Sequence, residues 1–161
     1  MGTQQILLIV LSVIIVGAAI AVGISMFNSQ SYSASKSAIA ADAQSFATQI
    51  VQYYKTPESQ GGAGATLATG DEVKIANFIG WGSTESGGTT TANIMDNDNG
   101  EYKIIVTNST QVDVLGLSRE DNGTSKPAIW TTITFPEGKI EGTPKDVANT
   151  KTIATLAISD F

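Results

Sequence analysis

Ile6–Phe27 is twenty-two consecutive residues without a charge, fifteen of them Ile, Leu, Val, Met or Phe and the rest Ala, Gly, Ser12 and Ser25. As a helix it would run roughly 33 Å, about the thickness of a bilayer core. Fifteen large apolar side chains at a few tenths of a kcal/mol each give an insertion gain on the order of 6 kcal/mol. The uncharged zone is wider still, because Lys36 is the first charged residue of the chain. All four prolines (Pro57, Pro127, Pro136, Pro144) and 13 of the 16 glycines lie from Pro57 onward. The sequence therefore divides into a helical stem over 1–56, apolar at 6–27 and amphipathic at 28–55, and a β-rich head over 57–161. The leading Met1-Gly2-Thr3-Gln4-Gln5 has no positive n-region and the apolar run is too long for an h-region, so a retained segment is expected despite the Ala-x-Ala at Ala19–Ala21.

From Asn28 to Lys55 there is neither Pro nor Gly. Ile39, Ala43, Phe46, Ile50 and Tyr53 follow one another at intervals of four and three, which is a helical stripe. Ser37, Asp42, Gln44, Ser45, Thr48, Gln49 and Gln52 make up the opposite face. Pro57 and the Gly61-Gly62-Ala63-Gly64 run end the pattern. Stem and continuation read as one helix of about 50 residues, unbroken at Gly17 and Gly23, and near 75 Å long. A head over 57–161 cannot bury a helix of that length. The first half must be covered by something else.

Beyond Pro57 the period becomes strand-like. Glu72–Trp81, Glu101–Thr107, Val112–Leu117, Ala128–Phe135 and Thr152–Ile158 are rich in Val, Ile, Thr and aromatics and are expected as strands. Asn99-Gly100, between Thr89–Met95 and Glu101–Thr107, reads as a hairpin turn because both residues accept positive φ. Pro136-Glu137-Gly138 reads as another. The expected fold class is α+β, with a small antiparallel sheet packed on the Ile39/Ala43/Phe46/Ile50/Tyr53 stripe.

Composition narrows the chemistry. The chain has no His and no Cys, which excludes disulfides, Cys or His zinc sites, a Cys nucleophile and any His-dependent triad. Nine basic residues against fifteen acidic ones argue against nucleic acid, whose backbone needs clustered Lys and Arg. Asp96-Asn97-Asp98-Asn99-Gly100-Glu101 is oxygen-rich, but an EF-hand begun at Asp96 would place Gly100, Glu101 and Thr107 at its fifth, sixth and twelfth positions, which fails. Asp71-Glu72 and Glu120-Asp121 are paired carboxylates without an apolar pocket signal. Ser33-Ala34-Ser35-Lys36 fits S-x-x-K but lacks the partner motifs of that chemistry. No catalytic residue, cofactor or metal is expected, and no enzyme activity. Asn108-Ser109-Thr110 and Asn122-Gly123-Thr124 are sequons, so Asn108 and Asn122 are candidate glycan acceptors, with Thr89-Thr90-Thr91 a candidate for O-linked sugar.

An uncharged apolar helix at the N-terminus, an amphipathic continuation and then a β head resembles the type IV pilins, and the resemblance covers the first 55 residues. Bacterial members often begin with Phe or Met and carry Glu at the fifth position. Met1 fits that pattern and Gln5 departs from it. Archaeal pilins and archaellins share the apolar stem without the Glu, so the resemblance is to the broader pilin-like superfamily. It implies a structural subunit of an extracellular helical filament, exported from the inner or cytoplasmic membrane, with itself and a pilus assembly machinery as partners. On that reading Gln5, Ile6, Leu7, Ile9, Val10, Val13, Ile14, Gly17, Ala18, Ala21, Ile24 and Phe27 form the filament core. Small residues there let helices approach closely, and Gln5 offers hydrogen bonds with no charge to neutralise. Surface contacts between subunits are expected from the Gly-rich loop after Pro57 and from Ser83–Thr91. The alternative is a single-pass anchor carrying an exported, ligand-binding β head.

Overall fold

The computed structural model describes residues 2–81, 84–86, 89–91 and 93–161, the side chains of 84–86 and 89–91 excepted. The elements are α1 (Gly2–Lys55), α2 (Glu72–Phe78), β1 (Thr84–Ser86), β2 (Thr89–Thr91), β3 (Ile94–Asp96), β4 (Gly100–Asn108), β5 (Gln111–Ser118), β6 (Ser125–Thr134) and β7 (Lys139–Ala148). β1 and β2 pair as a ribbon, and β3 to β7 form one antiparallel sheet in chain order. The class is α+β, as expected. By packing, the chain separates into one unit that ends at Ala34 and a second over Ser35–Phe161.

In the second unit, Ile39, Ala43, Ile50 and Tyr53 are buried against the sheet, together with Ala47 and Tyr54, which the stripe did not include. They meet Tyr102, Ile104, Val106, Val112, Val114, Ile129 and Ile133. Phe46 is only partly buried, yet its ring meets Trp81 and Tyr102 edge-on with centroids 5.0 Å apart in both cases. Period-two alternation on β4 and β5 sends every second side chain to this face. The other residues of β5, Leu115 and Leu117, enter a second cluster with Ile94, Ala128, Val147, Ile153 and Leu156. The C-terminal segment after β7 thus covers the outer face, and the central strand is buried on both sides.

Two expected strands are absent. Glu72–Trp81 contains α2 instead. Ile75 and Ile79, four apart, turn to the core with Ala76, a helical spacing hidden in a short apolar run. Glu72 Oε1 accepts the Val106 N–H at 3.1 Å, and Asp71 Oδ2 accepts the Ala68 N–H at 2.8 Å, so both carboxylates serve this join. Thr152–Ile158 is a turn: Ile153 and Leu156, three apart, are buried together, and Leu156 N–H donates to Thr152 O at 2.9 Å. The fifth strand of the sheet is β7, unforeseen because an edge strand with mostly exposed side chains carries little hydrophobic signal.

The β3–β4 hairpin is present, but its mechanism differs from the expected one. Neither Asn99 nor Gly100 has positive φ. The turn is held by Asn97 Oδ1, which accepts the N–H groups of Asn99 and Gly100 at 3.0 and 2.9 Å. Gly100 is required by close approach, since an added Cβ would stand 2.4 Å from Leu117 O. Gly138, at φ 75°, closes the β6–β7 turn as expected. The Thr89–Met95 expectation falls partly on residue 92, outside the described residues.

Asp42, assigned to the polar face, is instead a latch. Its Oδ2 accepts the Tyr102 hydroxyl at 2.8 Å, Asn99 Nδ2 at 2.8 Å and Asn97 Nδ2 at 3.0 Å. Burial pushes its carboxyl up, but the donors from Asn99, Tyr102 and Asn97 outweigh this and hold it below the ordinary 3.8. Burial, reinforced by Asp42, pushes the Tyr102 phenol well above its usual range. A carboxyl depressed in the folded state contributes stability that is full above its unfolded value and lost as pH falls through the folded one. The urea midpoint should therefore fall below about pH 4 in the natural chain, and Asp42→Asn should flatten part of that slope. Equal slopes in both chains would remove Asp42 from the account.

Candidate membrane or assembly segment

The first unit is made by the apolar part of α1. The segment has no Pro and runs as an unbroken helix although ten of its twenty-two residues are β-branched Ile or Val, and beyond the helix's own backbone nothing stands within 4 Å of a Cβ added at Gly17 or Gly23. Ser12 returns its hydroxyl to Ile9 O at 2.8 Å and so presents little polarity outward. The fifteen large apolar side chains of Ile6–Phe27 are 50 to 72% exposed. They fill fifteen of its twenty-two positions, and from Ile6 to Val16 all but Ser12, so at 3.6 residues per turn they surround the helix.

Covering a large apolar side chain stabilises by about 1.5 kcal/mol or more, so fifteen amount to something on the order of 20 kcal/mol. That exceeds the stability of a typical domain, about 5–15 kcal/mol. The segment is one that must pack against a membrane or a neighbouring subunit. Gln5, Ile6, Leu7, Ile9, Val10, Val13, Ile14, Gly17, Ala18, Ala21, Ile24 and Phe27 all lie on this exposed helix. The second half of α1 packs on the antiparallel sheet, a pilin-like architecture.

Other sites singled out in the sequence are occupied by local structure. In the oxygen-rich loop Asp96 is paired with Arg119, while Asn97 and Asn99 donate to Asp42. Among the described residues no three His, Cys, Asp or Glu converge as a metal cluster. Asp121 Oδ1 accepts the Gly123 N–H at 2.8 Å. Lys36 of the S-x-x-K sequence pairs with Asp146 at 2.9 Å. Asn108 and Asn122 are exposed. Asn108 Oδ1 accepts both the N–H and the hydroxyl of Thr110, and Asn122 Oδ1 accepts the N–H groups of Thr124 and Ser125. Of the loop at Ser83–Thr91, residues 83, 87 and 88 and all side chains lie outside the described residues, as do the side chains of Thr89-Thr90-Thr91.

Sequence reasoning missed Asp113. It sits on β5, fully buried, with four neutral donors: Thr107 Oγ1, Gln111 Nε2, Trp130 Nε1 and Thr132 Oγ1. The alternation Val112-Asp113-Val114 marked a polar position, but its donors come from three strands.

No protein family, curated protein or solved structure matches this chain.

Proposed function

We propose that the chain is a structural subunit of an extracellular, type IV pilus-like helical filament that polymerises through Ile6–Phe27. The observation that carries the reading is the uncharged, apolar and exposed circumference of this segment, within the helix whose other half enters the core of the β head. An anchor needs only the apolar half. The same helix goes on to supply residues of the sheet's core, a use of the stem that an anchor does not require. The subunit would wait in the membrane and then exchange lipid for neighbouring stems, with Gly17, Ala18 and Ala21 permitting close contact. Its partners would be copies of itself and an assembly machinery. Nucleic acid is not among them, and the chain is not an enzyme. Asn108 and Asn122 would stand on the exposed surface as glycan acceptors.

Negative-stain microscopy of sheared cell-surface material, with mass spectrometry of its main component, tests this. Long thin fibres composed of this chain are the expected result. A chain found only in the membrane pellet, and released by detergent as a monomer, would replace the filament by the anchored ligand-binding head.

A further inference from the structure

We infer that the outer face of the sheet receives a carboxylate side chain from a second copy of this chain, at a recess lined by Glu101, Ser118, Arg119, Lys126, Lys151 and Thr152, an inference that rests on the filament reading. The recess has a volume of about 260 Å³. It lies where β4, β5 and β6 meet the C-terminal segment.

The distribution of charge points to it. Five of the nine cations, Lys103, Lys126, Lys139, Lys145 and Lys151, belong by strand register to this face or to the segment that covers it, and a sixth, Arg119, just past β5, joins them through its ion pair with Asp96. Only five of the fifteen carboxylates do: Asp96, Glu101, Asp113, Glu141 and Asp160. The rest of the chain is left with three cations against ten carboxylates. A strongly acidic protein therefore has one face on which cations outnumber carboxylates. Copies that meet with this face against any other surface are complementary; other pairings set acid against acid.

Within the recess the cations are not equivalent. Arg119 is held by Asp96 and by Asn97 O, and Lys151 is held by Asp160 at 2.8 Å. Lys126 is partly buried, and its side chain makes no ion pair or hydrogen bond among the described residues. Glu101 lines the same recess but forms no ion pair with it. An unpaired ammonium at the wall of a recess is completed by an incoming carboxylate. In a polymer, a neighbour's acidic surface supplies that carboxylate at high effective concentration.

The chain has no Cys and few amines, so amide-forming cross-linking reads the contact cleanly. Fibres grown from mixed ordinary and isotope-labelled chains would be treated with a carbodiimide, which joins amines to carboxylates already in contact. The expected product is a mixed-isotope peptide pair that links Lys126 to an Asp or Glu of another copy, and its loss in Lys126→Gln fibres. Fibres in which Lys126 is linked only within its own chain, or not at all, overturn the inference and leave the filament reading standing. Absence of fibres from the unaltered chain overturns both.

Discussion

A chain that lacks residues 1–34 should be a water-soluble, folded monomer, whereas the full chain should be recovered only in fibres or in membranes. The removed residues carry the fifteen exposed apolar side chains and none of the buried core of Ser35–Phe161. Sedimentation of the two chains, with circular dichroism of the shorter one, reads the result. A shorter chain that still pellets without detergent would place the driving contacts in the head.

A single substitution separates the two ways of covering the helix. A Lys at the centre of a span costs about 2.5–3.5 kcal/mol on the insertion scale, less than the total gain of about 6 kcal/mol. Ile14→Lys should thus leave the chain in the membrane. In a bundle of identical helices the same charge is repeated in every copy, unpaired and out of water, at several kcal/mol each. Fibres should therefore disappear while membrane recovery persists. Fibres of normal yield from Ile14→Lys would show that position 14 is not inside a filament core.

The second large effect concerns the head alone. Asp113→Ala should lower its stability by about 3 kcal/mol, because the substitution strands donors that meet a fully buried carboxylate. Trp130 Nε1 and Thr132 Oγ1 each stand 2.8 Å from Oδ1, and Gln111 Nε2 lies 3.1 Å from Oδ2. The donors are partly exposed and recover some bonding to water, which keeps the figure below the sum over four lost bonds. Asp113→Asn retains the shape but turns an amide toward groups that also donate, so it should lose nearly as much. Thermal melts should show a fall of roughly 10 °C or more for both. A melt within a degree or two of the natural chain for Asp113→Asn would mean that hydroxyl and amide reorientation satisfies the site without the charge.

Local pattern made the stem and the inner face of the sheet legible. Helix period placed Ile39, Ala43, Ile50 and Tyr53 in the core, where they are. Strand period placed β4, β5 and β6, and Pro57 placed the end of α1. Failures came where a segment is too short to show a period, as in α2, or too exposed to show hydrophobicity, as in β7. At Thr152–Ile158 apparent alternation concealed a turn whose two buried residues are three apart.

The sequence by itself determined that an uncharged apolar helix must be covered by something outside this chain. Transfer free energy depends on side-chain type and number, both of which are written in Ile6–Phe27. It likewise determined that no disulfide or imidazole chemistry is available. Only the tertiary structure decided that Asp42 latches the β3–β4 hairpin, that Asp113 is buried among neutral donors, and that Lys126 is left unpaired on the outer face. The first depends on residues 55 to 60 positions apart meeting within 3.0 Å, and the second on three strands that bring their donors to one carboxylate. Such meetings are set by strand register and by the packing of the C-terminal segment, which no local period encodes.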